Sequence, residues 1–133
     1  MTTRRKSKRG QSAVEFIIIL SFVLFFFVLF FAVIRNNEAQ KNKEKENLIL
    51  QNIALDARDE INLAAQASEG YFREFKIPLN VLGTDYNIQI IDKRVYVNAS
   101  RFGVSYAVVS VNGILKKGVN NITKQNGEVY LNK

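Results

Sequence analysis

The stretch FIIILSFVLFFFVLFFAVI, residues 16 to 34, decides the fold of this 133-residue chain. Ser21 is its only polar member. As a helix, these residues would extend roughly 28 Å, close to the thickness of the hydrocarbon core of a bilayer. We therefore predict a membrane-spanning helix. Because phenylalanines occupy all of its sides, this helix suits contact with lipid and contact with a bundle of identical helices equally well.

Positive charge is concentrated on the N-terminal side of the apolar run. Residues 1 to 10 contain five Lys or Arg and no acid, so the net charge of +7 falls to +2 when they are removed. By the positive-inside rule, this basic block stays in the cytoplasm and the residues from Arg35 onward lie outside. A basic arm can also bind nucleic acid, but its position beside an apolar run favours an orientation signal, and we expect no nucleic-acid partner.

The composition argues against an enzyme. The chain contains no cysteine, histidine or tryptophan, so thiol nucleophiles, histidine-based triads and His/Cys metal ligands are all excluded. The sequence also has no glycine-rich phosphate loop and no carboxylate cluster. We expect no catalytic residue, no metal site and no cofactor.

The residues in front of the apolar run form a more specific pattern, Lys8-Arg9-Gly10-Gln11-Ser12-Ala13-Val14-Glu15-Phe16. An ordinary secretory signal has an apolar core of about 7 to 15 residues and a small-residue cleavage site after it, whereas this run is longer and its exit offers no such site. Glu15 stands at the start of the predicted helix, where a bare carboxylate would cost roughly 2.5 to 3.5 kcal/mol if drawn to the bilayer centre. Glu15 either has a partner or is an interfacial residue favoured by the helix dipole.

This pattern resembles the class III signal peptides of archaeal type IV pilin-like proteins, which combine basic residues, a Gly-Gln pair, an acid four residues later and a long apolar helix. The resemblance implies that a prepilin peptidase removes residues 1 to 10 by cutting between Gly10 and Gln11, and that the helix stays on the mature chain. The family favours Ser and Leu at two positions where this chain has Ala13 and Ile19. Bacterial Tad-type pseudopilins share the Gly-Gln-x-x-x-Glu start and are the nearest alternative.

The resemblance also implies a function. The mature chain would be a structural subunit of an extracellular filament for adhesion or surface attachment, built from copies of itself by the pilus assembly machinery through Gln11, Glu15 and Phe16. Cleavage creates an amine at Gln11, and pairing it with Glu15 of a neighbour would compensate two charges that are each unfavourable in hydrocarbon. The precursor would reside in the cytoplasmic membrane, and the mature form would lie on the cell surface in the filament. A monomeric, single-pass, membrane-anchored binding or adhesin protein is the alternative from another class.

A second stretch of helix is predicted beyond the membrane. Residues 11 to 34 form the hydrophobic part and residues 35 to 70 an amphipathic outer half. Whether the helix is broken near residues 35 to 37 is left open, and Gly70 is its expected C-terminal stop. The outer half carries an apolar stripe at helical spacing, predicted to pack against a sheet. The stripe consists of Leu50, Ile53, Ala54, Ala57, Ile61, Ala64, Ala65 and Ser68.

Residues 71 to 133 alternate between apolar and polar positions and predict an antiparallel β domain, so that the fold class is α+β. Strands are predicted at residues 71–77, 86–91, 94–99, 105–111, 114–117 and 128–131. Asn112-Gly113 and Asn126-Gly127 are predicted hairpin turns, and Asp92-Lys93 is a weaker one.

The β domain contains two glycosylation triplets. Asn98-Ala99-Ser100 and Asn121-Ile122-Thr123 match the acceptor pattern, and both asparagines are candidate glycan sites if the domain is exported.

Overall fold

The computed structural model describes residues 8 to 133, with side chains described from residue 10. One long N-terminal helix is followed by two small, mostly antiparallel sheets, which confirms the predicted α+β layout. The elements are α1 (Lys8–Gln66), β1 (Phe72–Ile77), β2 (Asn87–Ile91), β3 (Arg94–Ala99), β4 (Phe102–Ala107), β5 (Val111–Gly113), β6 (Gly118–Gln125) and β7 (Glu128–Leu131).

The chain divides into two compact units, residues 1 to 42 and residues 43 to 133. In the described part of the first unit the backbone is helical throughout, including residues 35 to 37, where the sequence left open whether the helix is broken. All its described side chains are exposed, and the large apolar ones from Phe16 to Ile34 are each 37 to 67% exposed. The hydroxyl of Ser21 donates to the carbonyl oxygen of Ile17 at 2.7 Å, so the one polar side chain of the apolar run is satisfied within the helix.

In the second unit, the part of α1 from residue 43 packs its apolar stripe into the core. The predicted stripe is confirmed at its fully buried members: Leu50, Ile53, Ala54, Ala57, Ile61 and Ala64. They join residues of both sheets, such as Ile77, Val97 and Ile122, in one apolar cluster. This cluster is the core of the unit, and burial of its apolar surface is the main force that holds helix and sheets together.

The C-terminal end of α1 comes earlier than expected. The helix ends at Gln66 and Ser68 is exposed, so the stripe stops before Ser68. Lys124 Nζ donates to the carbonyl oxygens of Ala65 and Ala67 at 2.7 and 2.8 Å, which satisfies acceptors that the last helical turn leaves free. Gly70, with φ of +84°, then turns the chain into β1 rather than ending the helix.

The larger sheet has the strand order β1-β6-β7-β5. β6 pairs antiparallel with both β1 and β7, and the β6–β7 hairpin turns at Asn126 and Gly127, as predicted. Their φ values of 53° and 79° fit the primed turn that Asn-Gly favours. β5 pairs with β7 in parallel, so this sheet is mixed. We had predicted a purely antiparallel β domain.

The smaller sheet is a meander, β2-β3-β4. The β2–β3 turn lies at Asp92 and Lys93, with φ of 48° and 57°, which confirms the weaker predicted turn. The β3–β4 turn is equally short, since Ala99 pairs with Phe102.

The prediction of a hairpin turn at Asn112-Gly113 was wrong, because both residues lie in β5. A Cβ atom added to Gly113 would stand 2.1 Å from the carbonyl oxygen of Leu131, and the φ of Gly113 is +114°. The glycine is therefore needed for close approach of β5 to β7, not for a turn. The predicted strand at 105–111 is divided between β4 and β5, and residues 114–117 form no strand.

The strand β6 was missed. Its residue Asn120 occupies a fully buried core position, and its side-chain amide donates to the carbonyl oxygens of Lys116 and Gly118 and accepts from the Lys116 amide. A polar residue at a core position removes the alternation on which strand prediction depends.

Candidate functional site

The residues predicted for processing and assembly lie in the first unit, at the start of α1. Gly10, Gln11, Glu15 and Phe16 are all helical and exposed, and the Phe16 side chain is 65% exposed. The first seven residues of the predicted leader lie outside the described part of the chain. The roles of these four residues stay predictions.

The helical backbone fixes the spacing of Gln11 and Glu15. Residues four apart lie on one face of an α-helix, about one turn or 6 Å apart along its axis. Gly10 has open space around the position that a Cβ would occupy. The Gly10–Gln11 peptide bond thus adjoins an uncrowded helix surface, and a positive charge created at Gln11 would lie within a turn of the Glu15 carboxylate.

From Phe16 to Ile34 the first unit offers an apolar surface whose only polar side chain is Ser21. Neighbouring rings contact each other along it, Phe25 with Phe26 at 6.0 Å and Phe27 with Phe31 at 5.1 Å between centroids. The helix is long and apolar enough to cross a membrane. Exposure of such a surface to water is unfavourable, and its length and composition suit contact with lipid or with other helices.

The second unit has a groove of about 630 Å³ between α1 and the edge strand β1. Charges of both signs line it, and Arg73 bridges it with an ion pair to Glu60 at 3.2 Å. The other carboxylate oxygen of Glu60 is buried without a hydrogen-bond partner. In the described part of the chain, no three His, Cys, Asp or Glu residues come together in a way that could hold a metal ion.

The two glycosylation triplets lie in different surroundings. Asn98 is exposed at the end of β3, next to the short turn into β4. Asn121 is half-buried in the middle of β6, between β1 and β7, and its Oδ1 atom is buried without a partner. The Thr123 hydroxyl oxygen is buried in the same way. Only the first triplet presents its acceptor side chain freely.

A charged cluster that the sequence did not predict links the loop before β2 to the segment before β6. Lys117 Nζ contacts Asp85 Oδ1 at 2.5 Å, donates to the carbonyl oxygen of Tyr86 at 3.0 Å and stands 5.4 Å from the centre of the Tyr86 ring. The hydrogen bond and charge of Lys117 lower the pKa of Asp85, whereas burial and the Asp85 carboxylate raise the pKa of Tyr86 to about 12. Because over thirty residues separate the partners, no local sequence signal could have found this cluster.

Comparison with known proteins gives no relative: no protein family, no curated protein and no solved structure matches the chain. The geometry and chemistry of the described residues point to the helix α1 as the candidate site. Its exposed apolar run, preceded by one acid, can insert into a membrane or pack with other helices.

Proposed function

We propose that this chain is the precursor of a structural subunit of an extracellular, archaeal type IV pilus-like filament that serves adhesion or surface attachment. One observation carries the proposal: an apolar helix surface exposed on all sides begins directly after Glu15, which lies one turn from Gln11. A prepilin peptidase cuts between Gly10 and Gln11. The released helix then packs with the helices of other copies.

The charge balance at the helix start explains why one acid is tolerated there. The mature chain begins with a positive amine at Gln11, and Glu15 of a neighbouring subunit neutralises it at the edge of the apolar layer. Each charge alone is unfavourable in hydrocarbon, and pairing between subunits would favour one relative position of neighbouring copies. Glu15 is thus an assembly residue with no catalytic role.

The proposed topology follows from the charges that flank the helix. The basic block of residues 1 to 10 holds the N-terminus of the precursor in the cytoplasm, and the β-rich second unit lies outside. The membrane, the peptidase and the assembly machinery are the partners of the precursor. In the filament the partners are further copies of the chain.

The test is to express the full chain with and without an archaeal prepilin peptidase and to measure intact mass, filament formation by electron microscopy and membrane content. We expect a mature start at Gln11 and filaments only with the peptidase. Glu15→Ala should still be cut but should not assemble, whereas Glu44→Ala, which removes an exposed acid from the same helix, should behave as wild type. An observed N-terminus at Met1 or Thr2, in membranes that contain active peptidase, would contradict the proposal.

One observation favours the alternative of a monomeric, membrane-anchored binding or adhesin protein. The apolar core of the second unit is built wholly from residues of that unit, from Leu50 to Leu131, so the unit does not need other copies to bury its core. The alternative predicts an uncut, filament-free product. Processing at Gly10 in a Tad-type system, but not by an archaeal peptidase, would favour a pseudopilin instead.

A further inference from the structure

The exposed apolar surface of α1 cannot by itself fix how neighbouring helices are shifted along their axes. Its large side chains from Phe16 to Ile34 are exposed all round, and hydrophobic contact is non-directional and scales with buried area. Sliding one such helix past another by a turn changes that area little. Charged groups, whose contacts change sign with the shift, can select the axial position.

Between Gln11 and Asn42 there are four charged side chains: Glu15, Arg35, Glu38 and Lys41. The last three alternate in sign at a spacing of three residues, which is about 4.5 Å along a helix. All three are exposed, and in the described part of the chain none of them forms an ion pair within one copy. The alternating charges thus remain available to a neighbour.

The alternation discriminates sharply between axial shifts of two parallel copies. With no shift, each of the three residues lies level with its own like-charged counterpart. A shift of three residues brings Arg35 level with Glu38 and Glu38 level with Lys41, in either direction. At a shift of six residues Arg35 lies level with Lys41, and the contact is again repulsive.

The charges at the N-terminal start of the mature helix favour nearly the same axial shift. For Glu15 to lie level with the Gln11 amine of a neighbour, the two helices must be displaced by four residues, about 6 Å. The charges at residues 35 to 41 favour about 4.5 Å. The difference is one residue, which the long side chains of Arg, Glu and Lys can span.

We propose that Arg35, Glu38 and Lys41 form a self-complementary register surface, whose partner is the same surface on a second copy of the chain. Neighbouring α1 helices are parallel and staggered by three to four residues, about 5 Å. This inference depends on the proposed filament, in which membrane insertion gives all copies the same direction. The register surface lies in water beyond the apolar run, so its contribution weakens as salt screens it.

Cysteine crosslinking tests the stagger directly, because the chain has no cysteine of its own. The positions between the charges provide two pairs of sites three residues apart, Asn36→Cys with Ala39→Cys and Asn37→Cys with Gln40→Cys. Disulfides need Cβ atoms roughly 3.5 to 4.5 Å apart. Oxidation of filaments from a double variant should give a ladder of multimers, since each bond joins unlike positions of successive copies. The four single variants should give no crosslink.

Each crosslinking result either supports or contradicts the proposed stagger. Disulfide-linked dimers from a single variant would mean that neighbours lie level, and filaments in which neither double variant crosslinks would mean another stagger; both overturn the register surface while leaving the filament intact. If neither the wild-type chain nor any variant forms filaments, the proposed filament function is contradicted. The stagger, which depends on that function, is then contradicted too.

Charge inversion gives an independent measurement. Glu38→Lys makes all three charges positive and should lower filament yield about tenfold at low salt, because two favourable contacts become repulsive. High salt should restore much of the yield. The triple variant Arg35→Glu, Glu38→Lys, Lys41→Glu keeps the alternation and should assemble as wild type. Equal yields for Glu38→Lys and wild type at low salt, or failure of the triple variant alone, would contradict the proposal.

Discussion

Lys124 Nζ lies 2.7 Å from the carbonyl oxygen of Ala65, and this contact joins the middle of the larger sheet to the end of the long helix. The same amine also donates to Ala67 at 2.8 Å. The backbone is tied at the same place, since the Gly70 amide donates to the carbonyl oxygen of Lys124. The helix end is therefore fixed by a residue that follows it by some sixty positions.

Replacement of Lys124 by Met should destabilise the second unit. The substitution keeps most of the aliphatic length but leaves two helix-terminal carbonyl oxygens without a charged donor, at a cost of about 1 to 3 kcal/mol. Lys116→Met, which alters an exposed side chain, is the matched control and should cost less than 0.5 kcal/mol or so. Urea unfolding of the full chain in detergent, followed by tyrosine fluorescence, measures both. Equal midpoints for the two variants would show that the contact does not hold the helix end.

Gly113→Ala should cost several times more than Gly127→Ala. A Cβ at position 113 meets the Leu131 carbonyl at 2.1 Å, whereas one at position 127 has open space. Both glycines have positive φ, which strains any residue with a side chain. Gly127→Ala therefore carries only this conformational strain, about 1 kcal/mol. The clash at position 113 forces β5 away from β7, and we expect a loss of roughly 3 kcal/mol or more. Hydrogen exchange at the Leu131 and Val129 amides locates the effect, and unchanged protection there would contradict the close approach.

Local patterns reveal those features that repeat regularly along the chain or that have a specific turn chemistry. The apolar run and the helical stripe were predicted because their periodicity is regular over many residues, and the Asn126-Gly127 turn because its chemistry is specific. The turn predicted at Asn112-Gly113 was wrong, because a glycine needed for close approach of two strands cannot be told in the sequence from a glycine needed for a turn. Lys117 acts through partners more than thirty residues away, so no local window contains both ends of those contacts. Asn120 was missed for another reason, since a polar residue at a buried strand position breaks the expected alternation.

Tyr86 should make the stability of the second unit depend on pH above 10. Burial, with the Asp85 carboxylate beside it, raises the pKa of Tyr86 to about 12 from an ordinary value of 10. The folded state therefore holds the proton more tightly than the unfolded state. The resulting stabilisation is fully present below pH 10 and is lost as the pH rises from about 10 to 12. Allowing for solvent screening, it amounts to roughly 1 to 2 kcal/mol.

The measurement for Tyr86 is a series of urea midpoints from pH 9 to 12 or so, followed by circular dichroism. Tyr86→Phe removes the ionisable group and the hydrogen bond from its hydroxyl to the Pro78 carbonyl, so it should be less stable at pH 9 and show a flatter decline. Tyr96→Phe, at a half-buried tyrosine of β3, controls for general alkaline effects. Parallel curves for wild type and Tyr86→Phe would rule out the assigned role.

Asn98 and Asn121 should differ in glycan occupancy if the second unit is exported. Asn98 is exposed beside a tight turn, whereas Asn121 is half-buried in a strand that has neighbours on both sides. Attachment to Asn121 would force a bulky, solvated group onto a paired strand, so we expect modification at Asn98 alone. Intact mass of the chain from its native membrane should fall in Asn98→Gln and in Ser100→Ala, which spares the asparagine but breaks the triplet. Asn121→Gln should show no glycan loss, and a loss there would mean that transfer precedes formation of β6.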